Sequence, residues 1–457
     1  MTREIVVIGG GLAGCEAAWQ AAERGCSVRL YEMRPAQMTG AHQGGDLAEL
    51  VCSNSLGSQL PDRASGILMN EMGLLGSMLL EEARAASVPA GGALAVDREA
   101  FSRGVTARLE AHPRIRILRE EVRKVPEEGI AVIASGPLTS PALALSLQAL
   151  TGEDHLYFFD ALSPIVEGGS LDPSIVFRAS RYDRGASPDG DYLNAPMSQE
   201  EYASFVRELT AAERIPLREF EEAIREGVRA GPDRFFEGCL PVEVIAERGE
   251  LALAYGPMRP VGIRDPRTGR RPYAVVQLRQ DNLAGDLYNL VGFQTNLTYS
   301  EQRRVLQMIP GLQNARFARY GQMHRNTFLN SPRLLRATLQ HRDREMLHFA
   351  GQITGVEGYL GNIATGLLAG VNAARLSSGA EALSLPATTM LGALTHYVTH
   401  ADAGSFQPMK ANLGLLPPLG GRLDRRERAR RHAERSTEDL RQFWPAIGEP
   451  ALRIATT

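Results

Sequence analysis

Apolar and polar positions are arranged in different ways along this chain, and each arrangement marks a different part of it. At the front, Glu4–Ile8 runs into an unbroken apolar stretch, as a strand buried on both faces of a parallel sheet requires. Leu12–Glu23 then carries small and apolar residues at helical spacing until Gly25 stops it, and Val28–Tyr31 is a second such strand. Near the far end, between Met346 and Leu376, a short apolar strand runs into Gly351, a glycine-punctuated loop follows, and Asn362–Leu376 is predicted to be a helix. The middle changes character. From about Asp183 the string DRGASPDGDYLNAP is polar and bears Gly and Pro, and after Pro196 a helix capped by Ser198 begins with an acidic turn. The pattern predicts an α/β chain with a Rossmann-like domain formed by 1–183 and 331–457, and an α+β domain inserted at 184–330. After Gly421, arginine and glutamate recur at i,i+4 spacing, the pattern of a helix with a solvated face.

Between the first strand and its helix lies Gly9-Gly10-Gly11-Leu12-Ala13-Gly14, a full GxGxxG. Gly9 permits the tight turn, Gly11 lets backbone approach a pyrophosphate, and Gly14 lets helix pack on strand, with the helix N-terminus facing the phosphates. Glu32 ends the second strand, where a carboxylate accepts hydrogen bonds from ribose hydroxyls. The late helix can point its own N-terminus at a ring that becomes negative on reduction, as a flavin does. Two glycine-rich sites more than 300 residues apart therefore suggest one extended dinucleotide, FAD, held by both ends of one domain.

Composition narrows the chemistry. Of 457 residues, 44% are hydrophobic, enough for two or three cores, which excludes a disordered or fibrous protein. Four cysteines with no CxxC pair argue against a disulfide framework or zinc ribbon. No apolar stretch approaches the ~18 residues of a membrane span, and no signal peptide precedes the first strand, so a soluble cytoplasmic protein is expected. The net charge of -3 predicts no polyanion partner by itself. Of the 50 basic residues only Lys124 and Lys410 are lysine; neither follows glycine, which removes a P-loop, and neither context suits a Schiff base.

Among residues able to do chemistry, Cys52 lies in the polar string ELVCSNSLGS, on the side of the sheet where such folds bind ligands. Cys239 precedes Pro241, which fits the start of a helix that Gly249 ends. Cys15 and Cys26 fall in or beside the packed first helix and read as inert. His396 and His400 share a helical face, yet no third ligand is near and HExxH is absent, so no metal is expected. The segment 277–299 is dense in amides and includes Arg279, Gln280 and Asn282, a set able to read a heteroaromatic ring or RNA, or to close turns. Seven arginines between 316 and 344 offer a positive face toward phosphates.

Taken together, GGGLAGCEAA, YEMRP, LVCSNSLGS, FEGCLPVE, VVQLRQDN, NLVGFQTNL, RYGQMHRNTFLNSP and FAGQITGVEGYLGNIATG make the chain resemble the folate- and FAD-dependent tRNA uracil-5-methyltransferases over nearly its whole length. The two cysteine strings and QMHRNTF separate it from a sister family of flavoproteins that modify the wobble uridine. The resemblance implies a GR2-type FAD domain, reduction by NADH or NADPH, and 5,10-methylenetetrahydrofolate as carbon donor to C5 of uracil 54 in the tRNA T-loop. It implies Cys239 as the nucleophile at C6 and Cys52 as the base or a flavin-side participant. It points to His324 for stacking on folate, to Tyr359 for a place near the flavin ring, and to Gly351, Gln352, Gly361 and Asn362 as further FAD contacts. Arg279, Gln280 and Asn282 are expected on the substrate side. No membrane and no stable protein partner are expected. Two other classes compete: a small-molecule NAD(P)H-dependent flavin oxidoreductase, and a non-catalytic RNA-binding protein that keeps FAD as a prop.

Overall fold

A computed structural model of the chain describes residues 4–39, 41–152, 156–183, 189–215, 240–421, 423–449 and 452. Its first sheet is parallel throughout, in the order Leu347–Phe349, Ile130–Ile133, Ile5–Ile8, Val28–Tyr31, Ile115–Leu118. Side-chain alternation splits these strands between two cores. Ile5, Val7, Val28, Leu30, Ile130 and Val132 face the cluster that holds the helices Leu12–Glu23 and Tyr359–Ser377. Ile8, Ala131, Ile133, Leu347 and Phe349 face the other side, where Leu143 and Leu147 of the helix Pro141–Thr151 cover them. Covering on both faces is why the strands read as continuous apolar runs.

The two ends of the chain meet backbone to backbone. A Cβ on Gly366 would sit 2.2 Å from the Ala13 carbonyl oxygen, and one on Gly370 would sit 2.4 Å from that of Ala17. The late helix begins at Tyr359, about one turn before the predicted Asn362, because Gly358 at φ 84° turns the chain into it.

The second sheet is antiparallel: Phe177–Ala179, Tyr192–Met197, Ala274–Gln280, Leu287–Leu290, Ile165–Glu167, Phe317–Arg319. Its core gathers Tyr202, Phe205 and Leu209 from the helix Gln199–Ala211, which Ser198 caps as expected, in a capping box with Glu201. The predicted cut at 183/184 runs through this sheet, since Ile165–Glu167 and Phe177–Ala179 precede it. The polar string there separates two paired strands, and Gly, Pro and Asp mark any reversal, not only a domain boundary.

Buried carboxylates fix several helices. Glu71 accepts the Met390 and Leu391 N–H groups at 2.5 and 2.9 Å and the Ser436 hydroxyl. It thereby ties the N-terminus of the helix Met390–His400 to the C-terminal helix Arg425–Ala446. That last helix has a solvated arginine and glutamate face, as expected, while its Leu440 and Trp444 enter the first core. Among the described residues, no helix is long and apolar enough to cross a membrane.

Candidate dinucleotide cleft and cysteine turn

The glycines of the first turn divide by what surrounds them. A Cβ on Gly9, which lies at φ 107°, would be 2.4 Å from the Ala134 carbonyl oxygen, and one on Gly14 would be 1.8 Å from that of Gly9. A Cβ on Gly11 would meet nothing within 4 Å. Two of the three therefore serve packing, and the third faces open space. Gly10 gives its N–H to Glu32 Oε2 at 2.9 Å, and its own Cβ position is closed by Leu47 and Glu32.

Both ends of the chain line the space that Gly11 faces. Gly9, Gly11, Leu12, Ala13 and Glu32 form one side of this cleft, and Gly351, Gln352, Tyr359 and Asn362 the other. Gly10, Gly14 and Gly361 are not on its surface; Gly361 packs against Val356, where a Cβ would be 2.6 Å away. In this structure each of the three is closed in by neighbouring protein atoms. Asn362 is buried, and its Oδ1 has no hydrogen-bond partner although it lines the cleft. A buried acceptor left unpaired costs about 1–3 kcal/mol, so a ligand donor is its natural complement. An open position over Gly11 and an unpaired acceptor at Asn362 fit a dinucleotide carrying a polar ring.

Sequence reading missed Arg34, which is 1% exposed and holds the ribose-side carboxylate. Its N–H and Nε donate to Glu32 Oε1 at 3.0 and 2.8 Å, and Nη1 reaches Glu49 at 2.9 Å. Burial works against the Glu32 charge, but Arg34 and the Gly10 N–H outweigh it and hold the carboxyl below its ordinary range. The signal was present in YEMRP, as a cation two residues past the strand-ending acid. The segment Ser135–Ser140 also lines the cleft and was missed, because nothing local distinguishes it from an ordinary loop.

Cys52 sits in a turn beside this cleft. Its N–H donates to the Tyr359 hydroxyl at 2.7 Å, and the Ser53 N–H donates to the same oxygen at 3.1 Å. Burial, then charge at Cys52, push the Tyr359 hydroxyl well above the ordinary phenol range, so it stays protonated. Arg98 donates to the carbonyls of Leu50 and Cys52 at 2.9 and 3.2 Å and pairs with Asp281. Asn54, fully buried, donates to the carbonyls of Val96 and Gln280, and its Oδ1 accepts from Arg279 and Asn289.

A sequence model of the family described as GIDA, Glucose inhibited division protein A, matches residues 4–381. A methylenetetrahydrofolate--tRNA-(uracil-5-)-methyltransferase TrmFO of Moorella thermoacetica is 55% identical over 450 residues, covering 98% of this chain and 99% of that protein. The chain belongs to the GidA family, in its TrmFO branch. The TrmFO of Bacillus cereus is 53% identical over 445 residues, covering 97% of this chain and 99% of its own length. Among solved structures, Aquifex aeolicus GidA matches with a TM-score of 0.67 at 17% identity, over 96% of this chain and 76% of that one. At that identity the structure shows the shared fold, a GidA-like flavoprotein, and the sequence relatives show the branch.

Within this GidA-family chain the remaining expected site residues fare unequally. Cys239 lies outside the described residues; the helix after it runs Val242–Glu247 with Pro241 as its cap. His324 is in the strand Met323–Phe328, its backbone opposite Asp160. Arg279, Gln280 and Asn282, expected on the substrate side, make hydrogen bonds within the chain itself, Arg279 to Ser53, Asn54 and Asn289. Gln280 Nε2 donates to the Asn282 carbonyl, and Asn282 closes the hairpin by accepting the Asp286 and Leu287 N–H groups. The arginines of 316–344 do not make one face: Arg316 pairs with Glu167, Arg336 with Glu345, and Arg319 turns inward to the Ala41 carbonyl. His396 and His400 stack at 4.2 Å, and no group of three metal-ligating side chains occurs among the described residues.

Proposed function

We propose that this chain forms 5-methyluridine at position 54 in the T-loop of tRNA, in the cytoplasm, with methylenetetrahydrofolate as carbon donor and NADH or NADPH as reductant. It is a folate- and flavin-dependent tRNA (uracil-5-)-methyltransferase, supported by full-length relatives of that name. The observation that carries the reading is the Cys52 N–H on the Tyr359 hydroxyl, because Tyr359 itself lines the dinucleotide cleft. A thiol-bearing turn is thus fastened to the wall of the cofactor site.

FAD bound in the cleft supplies the reducing equivalents that convert the donated one-carbon unit to a methyl group. The chain's residues do the rest. Gly11 admits the pyrophosphate, Glu32 accepts from the ribose, and Asn362 accepts from the ring. Uracil C5 is a poor nucleophile until a thiolate adds at C6 and pushes charge into an enolate, and the C5 proton must then be removed. Cys239 fills the first role and Cys52 the second or a flavin-side one, while His324 stacks on the folate. The second sheet and its helices form the substrate-facing unit, and the target base leaves its stack to reach them.

The test is incubation of unmodified tRNA with the protein, NADPH and carbon-labelled methylenetetrahydrofolate, followed by nucleoside mass spectrometry. Labelled 5-methyluridine in the T-loop is expected, and Cys239→Ala abolishes it while retaining FAD. Full methylation by that variant would overturn the nucleophile assignment; label at the wobble position would move the chain's activity to the sister chemistry.

A further inference from the structure

The turn that carries Cys52 is gripped by three arginines, and among the described residues only one of them has a carboxylate to answer its charge. Arg98, at the start of the helix Arg98–Glu110, pairs with Asp281 at 3.1 Å. Arg279, on the central strand Ala274–Gln280, is 8% exposed and bonds only neutral groups. Its Nε donates to Asn54 Oδ1 at 2.8 Å, and its Nη2 to Ser53 Oγ at 2.8 Å and Asn289 Oδ1 at 3.3 Å. Arg319, on the edge strand Phe317–Arg319, donates to the Ala41 carbonyl at 3.1 Å and lies 3.5 Å from that of Val51. Among the described residues, neither Arg279 nor Arg319 has a carboxylate within ion-pair distance.

A buried guanidinium without a counter-charge is costly, and neutral amides could tie the same segments together without that cost. Asn54 already joins the turn to the second sheet through its bond to the Gln280 carbonyl. The charge on Arg279 therefore needs a reason beyond fastening. The groups around the turn supply one. Arg98, Arg279 and Arg319 bring three guanidinium groups, and burial raises the Tyr359 and Tyr192 phenols so that both stay protonated. Asp281 is shared with Arg98 and Asn289, and Glu49 is engaged by Arg34. Positive charge is in excess at one end of the turn, beside the one half-buried thiol among the described cysteines.

Resting on the reading of Cys52 as a participating thiol, we propose that Arg279 is a positioning residue that brings unanswered positive charge to the Cys52 turn and stabilises negative charge when it forms there. Ser53 transmits the geometry, and Arg319 adds a second, more distant charge. The role requires a cation at 279, not merely a hydrogen-bond donor.

The experiment uses the FAD-loaded, full-length protein with Cys239→Ala, so that Cys52 is the accessible thiol; Cys15 and Cys26 are buried. Alkylation of the Cys52 peptide by iodoacetamide is followed by mass spectrometry from pH 6 to 10. In Arg279→Gln the rate at pH 7 is expected to fall about tenfold or more, with the whole profile moved to higher pH, because a unit charge acts strongly across a poorly solvated gap. Arg279→Lys, which keeps the charge and loses the fork, is expected to follow the parent profile, and Arg319→Gln to give a smaller shift of the same sign. With Cys239 restored, Arg279→Gln lowers kcat for methylation and leaves the KM for tRNA unchanged. A Gln profile that overlays the parent, or Lys and Gln variants that lose rate equally without a change in pH dependence, would overturn the proposal. Should Arg279→Gln fail to fold, Arg319→Gln carries the test, and an unmoved profile there overturns the charge argument. Alkylation needs no tRNA, so its outcome is separate from the reading of Cys52 as a participating thiol, which fails instead if Cys52→Ala methylates at the parent rate.

Discussion

The dinucleotide cleft and the cysteine turn are neighbours, joined at Tyr359, yet they are built in opposite ways. The cleft depends on what is missing: a side chain absent at Gly11, and an acceptor at Asn362 with no protein partner. The turn depends on saturation, with Asn54 alone holding four hydrogen bonds to partners from Val96 to Asn289. The first arrangement leaves room for a ligand to complete it. The second is held by the protein's own groups, so that the turn needs no ligand to complete its hydrogen bonds.

Substitution at Gly11 should break that contrast most severely. Gly11→Val places a side chain in the open space over the turn without touching the protein, so a folded, colourless enzyme with no methylation is expected. Absorbance near the flavin band, read beside a circular dichroism spectrum, decides it; a yellow, fully loaded variant contradicts the cleft. Gly14→Val differs in kind, because its Cβ would overlap the Gly9 carbonyl oxygen at 1.8 Å, and loss of the fold is expected instead of loss of colour.

Asn54→Ala tests saturation from the other side. It strands the Arg279 and Asn289 donors and the Val96 and Gln280 carbonyls together. At about 1–3 kcal/mol for each buried group left unpaired, and some relaxation, destabilisation of roughly 4 kcal/mol is expected in urea unfolding. A change below about 1 kcal/mol would mean that the turn is not the tie between the two sheets.

The same contrast explains how much of the molecule was legible in the sequence. The first strand, helix and second strand, and the packing of Gly14 on the Gly9 carbonyl, could be read because these partners lie within about thirty residues. The late helix was placed a turn short, since Gly358-Tyr359-Leu360-Gly361 reads as loop until Gly358 is seen to end it at the helix boundary. The intramolecular partners of Arg279 could not be read, because Ser53 and Asn54 are 226 and 225 residues away. No local pattern records a bond of that span. The cut at 183/184 falls between two paired strands for a related reason, as a turn between such strands and a linker between domains use the same residues.

Tyr359→Phe separates the two regions where they touch. It removes the acceptor of the Cys52 and Ser53 N–H groups and leaves the ring in the cleft wall. FAD binding is expected to persist while methylation falls about tenfold to a hundredfold, in keeping with the loss of 1–3 kcal/mol of hydrogen bonding. Loss of FAD together with activity would show that the hydroxyl serves the cofactor and not the turn.

The smallest effect concerns the frame under the cleft. His348 lies on the parallel strand Leu347–Phe349, fully buried, and neither ring nitrogen has a hydrogen-bond partner. Burial pushes its pKa down to about 4, only partly offset by the nearby backbone of Ala131 and Met346, against an ordinary value of 6.5. Between these values the unfolded chain binds a proton that the folded chain refuses, so stability is full above pH 6.5 and falls as the pH drops toward 4. The loss attributable to this ring is about 2 kcal/mol by pH 5. Thermal melts of His348→Leu at pH 7.5 and 5.0 should show a correspondingly weaker acid sensitivity than the parent, and an identical sensitivity would assign the acid loss to other groups. Because His348 supports the parallel sheet and not the cysteine turn, FAD release after brief mild acidification should precede any change in the rate of Cys52 alkylation measured on return to pH 8. Simultaneous loss of both would mean that the saturated turn, for all its internal bonds, has no stability apart from the sheet beneath the cleft.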